Sequence, residues 1–209
     1  MKKAIRYIVV LFLLAVVAYN SVYFRKLDAV MAGTTSFNAS KYAVLFWDKK
    51  LTPALVNAVE IGELLSLLQS DKKKAFTDHS HALGIGNIKY FLVKAQGKVK
   101  SVDENQVVVQ VVSTFQKPEV NLATEYIFGN AVRDASGTID INEFANSMDF
   151  NNVAAEINKI IREKIIPPFK AKVKTGDQIE FVGAIELNKE HLNLSKLEVI
   201  PISLKIKGE

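Results

Sequence analysis

The densest chemistry in the chain lies in the run Asp134-Ala135-Ser136-Gly137-Thr138-Ile139-Asp140-Ile141-Asn142-Glu143. With Gly137 as the sharp-turn glycine, Asp134, Ser136, Asp140 and Glu143 fall on the third, fifth, ninth and twelfth positions of a calcium-binding loop, and Ile139 on its apolar eighth. The first position fails. It holds Val132 where a carboxylate should open the cage, with the cation Arg133 beside it. A missing carboxylate and an added cation weaken a hard-cation site, so Asp134, Asp140 and Glu143 are weak metal candidates, and a turn built on Gly137 is the better expectation. Asp78, His79 and His81 could offer two imidazoles and a carboxylate to zinc, yet nothing nearby in sequence supplies a further ligand. No metal and no cofactor are expected.

Arg133-Asp134 is the pair most worth following. A guanidinium next to a turn can hold a carboxylate through two parallel bonds, and that carboxylate belongs either to the fold or to a ligand. Internal structure is the better expectation, with Arg133 and Asp134 kept as ligand-binding candidates. Trp47 is the third candidate, an aromatic ring able to stack on a ligand, although its apolar helix face favours packing. No Gly-x-Ser-x-Gly elbow, phosphate-binding glycine loop or His-Glu-x-x-His is present, so no catalytic residue is assigned.

Composition narrows the classes further. The 209 residues carry a net charge of +5 spread over many lysines, with one short run at Lys72-Lys73-Lys74 and an alternation at Lys170, Lys172 and Lys174. Both read as solvated surface. There is no cysteine, which excludes disulfides, thiolate metal sites, a thiol nucleophile and lipid attachment through cysteine.

At the N-terminus, Lys2, Lys3 and Arg6 precede an uncharged run from Tyr7 to Phe24, closed by Arg25 and Lys26. That is the pattern of a signal anchor or signal peptide over residues 1–26, with the N-terminus cytoplasmic and the remainder exported. Val16-Val17-Ala18 offers a cleavage pattern. Retention is favoured, because Tyr7, Tyr19 and Tyr23 stand near the ends of the run, where amphipathic rings prefer the interface. Tyr7, Ile8, Leu11, Leu14 and Val17 are the expected anchor residues. Residues 27–36 read as a linker.

The elements behind the candidate residues follow from periodicity. Tyr42, Leu45, Phe46 and Trp47 cluster on one side of a helix from about Asn38 to Lys50, Thr52-Pro53 starts another, and Ile61, Leu64, Leu65 and Leu68 mark a third that Ser70-Asp71 interrupts and recaps. After Ser80–Asn87 the period becomes two. Phe91, Val93 and Ala95 alternate with Leu92, Lys94 and Gln96, and Gln106–Val112 returns to complete a hairpin. Thr124–Phe128 and Thr138–Ile141 are short strand candidates. A helix at about 151–166 is capped by Asn151 or Asn152 and stopped by Pro167-Pro168. Ile179–Leu187 and Leu197–Ile206 close the chain as strands, the latter changing parity near Val199-Ile200, where a bulge is expected. The fold class is α+β: a small, bent β-barrel of the oligonucleotide/oligosaccharide-binding (OB) type over residues 83–209, with a helical subdomain over 37–82, after the N-terminal membrane anchor.

The exported part resembles the bacterial predicted periplasmic lipoprotein family, a domain of unknown function. The resemblance rests on Phe37-Asn38-Ala39 with Tyr42, Trp47-Asp48, Leu51 and Pro53, then Phe91-Leu92-Val93-Lys94 before Gly97-Lys98-Val99. It continues through Gly129-Asn130-Ala131-Val132-Arg133-Asp134-Ala135, Phe144, Asn146, and Gly176-Asp177 with Gly183. It implies an envelope-facing domain, a link to sugar ABC transport, and no established activity. Family members carry a lipobox cysteine that this chain lacks.

Three functional readings follow. The leading one is a membrane-tethered binding or accessory protein, not an enzyme, held at the inner membrane with its folded part in the periplasm or outside the cell. Its partners are the membrane and an envelope or transporter component, with a small-molecule ligand unassigned. The second is an envelope hydrolase using Asp134, Asp140 or Glu143 as acid or base. The third is a nucleic-acid-binding barrel with interleaving at Lys89-Tyr90-Phe91, which the exported compartment argues against; no nucleic acid is expected as a partner.

Overall fold

The computed structural model describes residues 2–21, 37–113 and 117–208 and divides the chain into two units, Met1–Phe37 and Asn38–Glu209. In the first, helix α1 (Lys2–Ser21) forms over the apolar run, and Tyr7, Ile8, Leu11, Leu14 and Val17 are all exposed on it. The expected membrane span does not follow from this helix alone. Its unbroken apolar stretch, residues 8–18, covers only about 16 Å at 1.5 Å per residue, against the roughly 30 Å of a hydrocarbon core. Among the described residues, no helix is long and apolar enough to cross a membrane. Tyr23, Phe24, Arg25, Lys26 and the linker 27–36 lie outside the described residues.

The second unit begins with α2 (Ala39–Phe46), whose N-cap Asn38 accepts the Lys41 amide at 2.8 Å. Helix does not stop at Thr52-Pro53 as expected. A π-helical turn, Trp47–Leu51, carries the backbone into Thr52–Ala54, and Pro53 follows that turn without ending the helical run. Strand β1 (Val59–Glu60) leads into α3 (Ile61–Ser70), and Asp71 then caps α4 (Lys72–His79) through the Lys74 amide, which is the predicted recapping. Leu45, expected on the buried stripe, is exposed, because the covering surface meets Ala43 and Phe46 instead.

Strand β2 (Ser80–His81) precedes β3 (Ile88–Val102), the longest strand, which turns back as β4 (Gln106–Val111) in the predicted hairpin. The next strand is β5 (Glu119–Ala123), not Thr124–Phe128; the ladder ends where the Thr124 amide bonds to the Asn105 carbonyl. The expected strand at Thr138–Ile141 is replaced by a short helical turn, Ile141–Glu143, capped by Asp140. Before it lies the unanticipated helix α5 (Ala131–Ala135). Helix α6 (Ser147–Ile160) starts earlier than expected, because Asn146 rather than Asn151 or Asn152 caps it and brings Phe150 into the core. A second π-helical turn, Ile161–Ile165, carries the chain past Pro167-Pro168 into α7 (Ile166–Lys170). Strands β6 (Gln178–Asn188) and β7 (Leu197–Ile206) finish the fold.

Five strands close on themselves in the order β3-β4-β5-β7-β6-β3, all neighbours antiparallel except β5 with β7. That is the predicted OB-type barrel in an α+β fold. Alternation sends Phe91, Val93, Val107, Val109, Leu122, Ile179, Phe181 and Ile185 into the barrel interior, which α3, α4 and Phe169 cover. The opposite face of β3, β6 and β7 is buried too, with Leu92, Ala184 and Ile202 under Phe46, Val132, Phe150, Val153 and Ile157 of α2, α5 and α6. The N-terminal helices therefore contribute to both cores. The bulge in β7 falls two residues later than expected. Val182 pairs with Ser203 but Gly183 with Pro201, so Ile202 is the extra residue, next to the one residue that has no ladder donor.

Closure brings backbones together at Gly183, where a Cβ would stand 2.5 Å from both the Ile200 carbonyl oxygen and Val199 Cγ1. Backbone cannot move aside cheaply. Gly183→Ala is expected to cost about 1–3 kcal/mol by overpacking. A urea midpoint indistinguishable from that of the unsubstituted protein would contradict this close approach.

Candidate functional site

All five residues of α5 are buried, because the helix is wedged between the outer face of β3 and β6 and the side of α6. Two of them are charged. Arg133 and Asp134, 3% and 4% exposed, face each other through Nε to Oδ1 at 2.6 Å and Nη2 to Oδ2 at 3.2 Å. The same guanidinium donates from Nη1 to the Phe150 carbonyl at 3.1 Å and lies 3.5 Å above the Phe150 ring. Three bonds and a ring face thus compensate a cation that burial would otherwise expel.

The pair forms one wall of a cleft of about 340 Å³, together with Asn130, Asn151 and Tyr90. Leu83 and Ile85, on the loop before β3, also line it and are exposed. Burial, and then the Glu186 carboxylate, raise the Tyr90 phenol above its ordinary pKa, so at neutral pH it is a neutral hydroxyl. Amides, a phenol and an internally neutralised ion pair can orient a polar ligand. They provide no activated nucleophile.

The other expected residues are placed elsewhere. Trp47 sits in the π-helical turn after α2, partly buried against the outer core, and is not in the cleft wall. The calcium-loop pattern does not assemble. Asp134 is taken by Arg133, Asp140 Oδ1 accepts the backbone and side-chain N–H groups of Asn142, and Glu143 is held by Tyr42 and Lys50 at 2.5 and 2.7 Å. His79 ends α4, whereas the His81 ring lies against Gly137, whose φ of +65° and lack of a Cβ permit that contact. Among the described residues, no group of three His, Cys, Asp or Glu side chains could hold a metal ion. Phe91, named for its interleaving with Lys89 and Tyr90, is fully buried in the barrel and offers no stacking face.

Sequence reasoning missed a larger cleft of about 770 Å³, lined by Glu63, Ser66 and Ser70 of α3 and by Lys74, Asp78 and His79. Its signal was available: Glu63, Ser66 and Ser70 recur at helical spacing opposite the leucine stripe.

The Glu143 cluster has a pH signature. Hydrogen bonds from Lys50 and Tyr42 lower the Glu143 carboxyl below its ordinary value of 4.5, while burial and then Glu143 itself push the Tyr42 phenol upward. A depressed carboxyl stabilises the fold above its unfolded pKa, and that contribution is lost as pH falls below 4.5. The raised phenol contributes stability present below 10 and lost only at higher pH. Glu143→Gln is therefore expected to flatten the acid limb of melting temperature against pH. At neutral pH it should cost no more than about 1 kcal/mol, since Lys50 and Glu143 are both more than one-third exposed. An unchanged acid limb would separate the cluster from acid stability.

Together, the barrel order and the cleft define a class: an OB-fold protein whose outer sheet face is covered by helices, with a polar recess at one of them. An OB-fold protein from Thermotoga maritima shares the architecture at a TM-score of 0.73 and 24% identity, over 83% of this chain and all of that one. This likeness concerns the fold alone. The chain belongs to the predicted periplasmic lipoprotein family (DUF2291), whose profile matches residues 12–205, and is thereby associated with the cell envelope. No curated protein sequence matches it.

Proposed function

We propose that the protein is a membrane-held, envelope-facing binding or accessory protein, without catalytic turnover, that serves solute uptake beside a sugar ABC transporter. The observation that carries this reading is the state of the three acidic groups best placed for acid–base work. Asp134, Asp140 and Glu143 each hold an internal partner, while the cleft beside Arg133 offers amides and a neutral phenol. Ligand recognition suits that inventory better than hydrolysis. The tether is α1, because a chain without cysteine has no thiol for a lipid and α1 exposes Ile8, Leu11 and Leu14. On this reading the Asn38–Glu209 unit faces the periplasm or the exterior, and the exposed Leu83 and Ile85 contact the partner.

The test uses the full-length chain in its native membrane. It should resist alkaline extraction, and removal of residues 1–26 should release it. A transporter subunit should copurify after mild solubilisation and be lost from the Leu83→Asp/Ile85→Asp variant. Free solubility of the intact chain removes the tether, and turnover on a glycan or ester abolished by Asp134→Asn replaces the reading with a hydrolase.

A further inference from the structure

Most large aromatic side chains of the Asn38–Glu209 unit are buried or half-buried, but Tyr126 and Phe128 are 65% and 73% exposed. Between them Ile127 is buried, so the loop from 124 to 130 plugs one side chain into the outer core and turns two rings outward. The loop is held by its backbone. Arg162 donates to the Ile127 carbonyl, Asn158 Nδ2 donates to the Gly129 carbonyl at 2.8 Å, and the Thr124 amide donates to Asn105 at 2.9 Å. Rings exposed on a loop fixed at three points are preorganised for a contact rather than left over from packing.

The two rings border a cleft of about 280 Å³ that is separate from the Arg133 recess. It is also lined by Glu186 of β6, Glu198 of β7 and the loop residues Asn193 and Lys196. Two carboxylates against one ammonium leave the lining negative, which repels phosphates and so disfavours nucleotides and nucleic acid. Flat apolar faces beside carboxylate acceptors and an amide match a ligand with C–H faces and a rim of hydroxyl donors. We propose that this cleft binds a neutral saccharide, one ring stacked on Tyr126 and Phe128, its hydroxyls donating to Glu186 and Glu198 and accepting from Asn193 Nδ2, because Asn193 Oδ1 already accepts the Ser195 amide and hydroxyl. The proposal is independent of the tether and of the Arg133 cleft.

Saturation-transfer difference NMR tests it on the full-length chain in zwitterionic detergent micelles free of sugar headgroups, with maltotriose, cellotriose and chitotriose as probes at millimolar concentration. At least one probe should receive saturation at its ring protons. Tyr126→Ala and Phe128→Ala should each weaken binding roughly three- to tenfold, the range of one aromatic contact. Met148→Ser, on an exposed side chain outside the cleft, should leave it unchanged. Thermal melts establish that the variants fold, which substitution at exposed positions permits. No transfer to any of the three probes, or transfer unaffected by both aromatic variants, overturns the proposal. So does a wild-type oligomer that Tyr126→Ala dissociates, because a second copy would then be what the rings cover.

Discussion

Asp134→Ala is expected to destabilise the Asn38–Glu209 unit by about 3–5 kcal/mol, because it leaves the Arg133 cation buried without its carboxylate. Both side chains are almost fully enclosed, and the two bonds between them account for two of the three the guanidinium donates to described groups. The Phe150 carbonyl and ring would remain, but neither carries a full negative charge. Replacing both charges, as Arg133→Met with Asp134→Leu, should cost far less, since a buried pair exchanged for apolar groups is often close to neutral. Urea denaturation of the two variants distinguishes a buried pair from a solvated one. Equal midpoints for Asp134→Ala and the unsubstituted protein would mean that water reaches the pair.

The second large effect is expected from Phe91→Ala, at about 3–5 kcal/mol. Phe91 is fully buried in the barrel interior and meets Phe76 of α4 edge-on, with centroids 5.2 Å apart and planes at 75°. Its strand position pairs with Ser80 on one side and Ile185 on the other, so the backbone around the ring is held and cannot collapse into the void. The loss should include the contact between barrel and helices as well as the ring's own burial. Phe91→Leu, which restores most of the volume, should recover much of the difference. Phe128→Ala removes an equally large ring from an exposed loop and should change the free energy of unfolding by no more than about 0.5 kcal/mol. If the Phe91 and Phe128 variants were equally stable, the assignment of interior and exterior faces along the barrel would be wrong.

The elements legible in the sequence are those whose signal is local. The β3–β4 hairpin, α3 with its Asp71 recap, and the closing pair β6 and β7 each follow from a period of two or 3.6 and from turn residues a few positions away. Prolines misled, because Pro53 and Pro167-Pro168 were read as starting or stopping helices. Each instead follows a π-helical turn, which moves the preceding carbonyls out of the way of the ring. Tyr126-Ile127-Phe128 misled for a related reason. Its alternation is real, but it comes from one residue plugging the outer core while its neighbours face solvent, with no strand beside it to form a ladder.

The candidate site divides in the same way. Arg133-Asp134 could be singled out from residue type and adjacency, and the preference for an internal role followed from the chemistry of a guanidinium beside a carboxylate. Phe150, which lies 17 positions away and supplies both a carbonyl and a ring to Arg133, could not be read from spacing. The separation of Asp134, Asp140 and Glu143 into three unrelated partnerships could not be read either. By itself the sequence determined family, barrel class and the periodic elements, since those depend on interactions within a few residues and on side-chain types in order. Only tertiary structure decided which strand face α2, α5 and α6 would cover, and with it whether a charge is buried, a ring exposed or a cleft left open. Burial is a property of what packs from across the chain, and no local pattern encodes the identity of that neighbour.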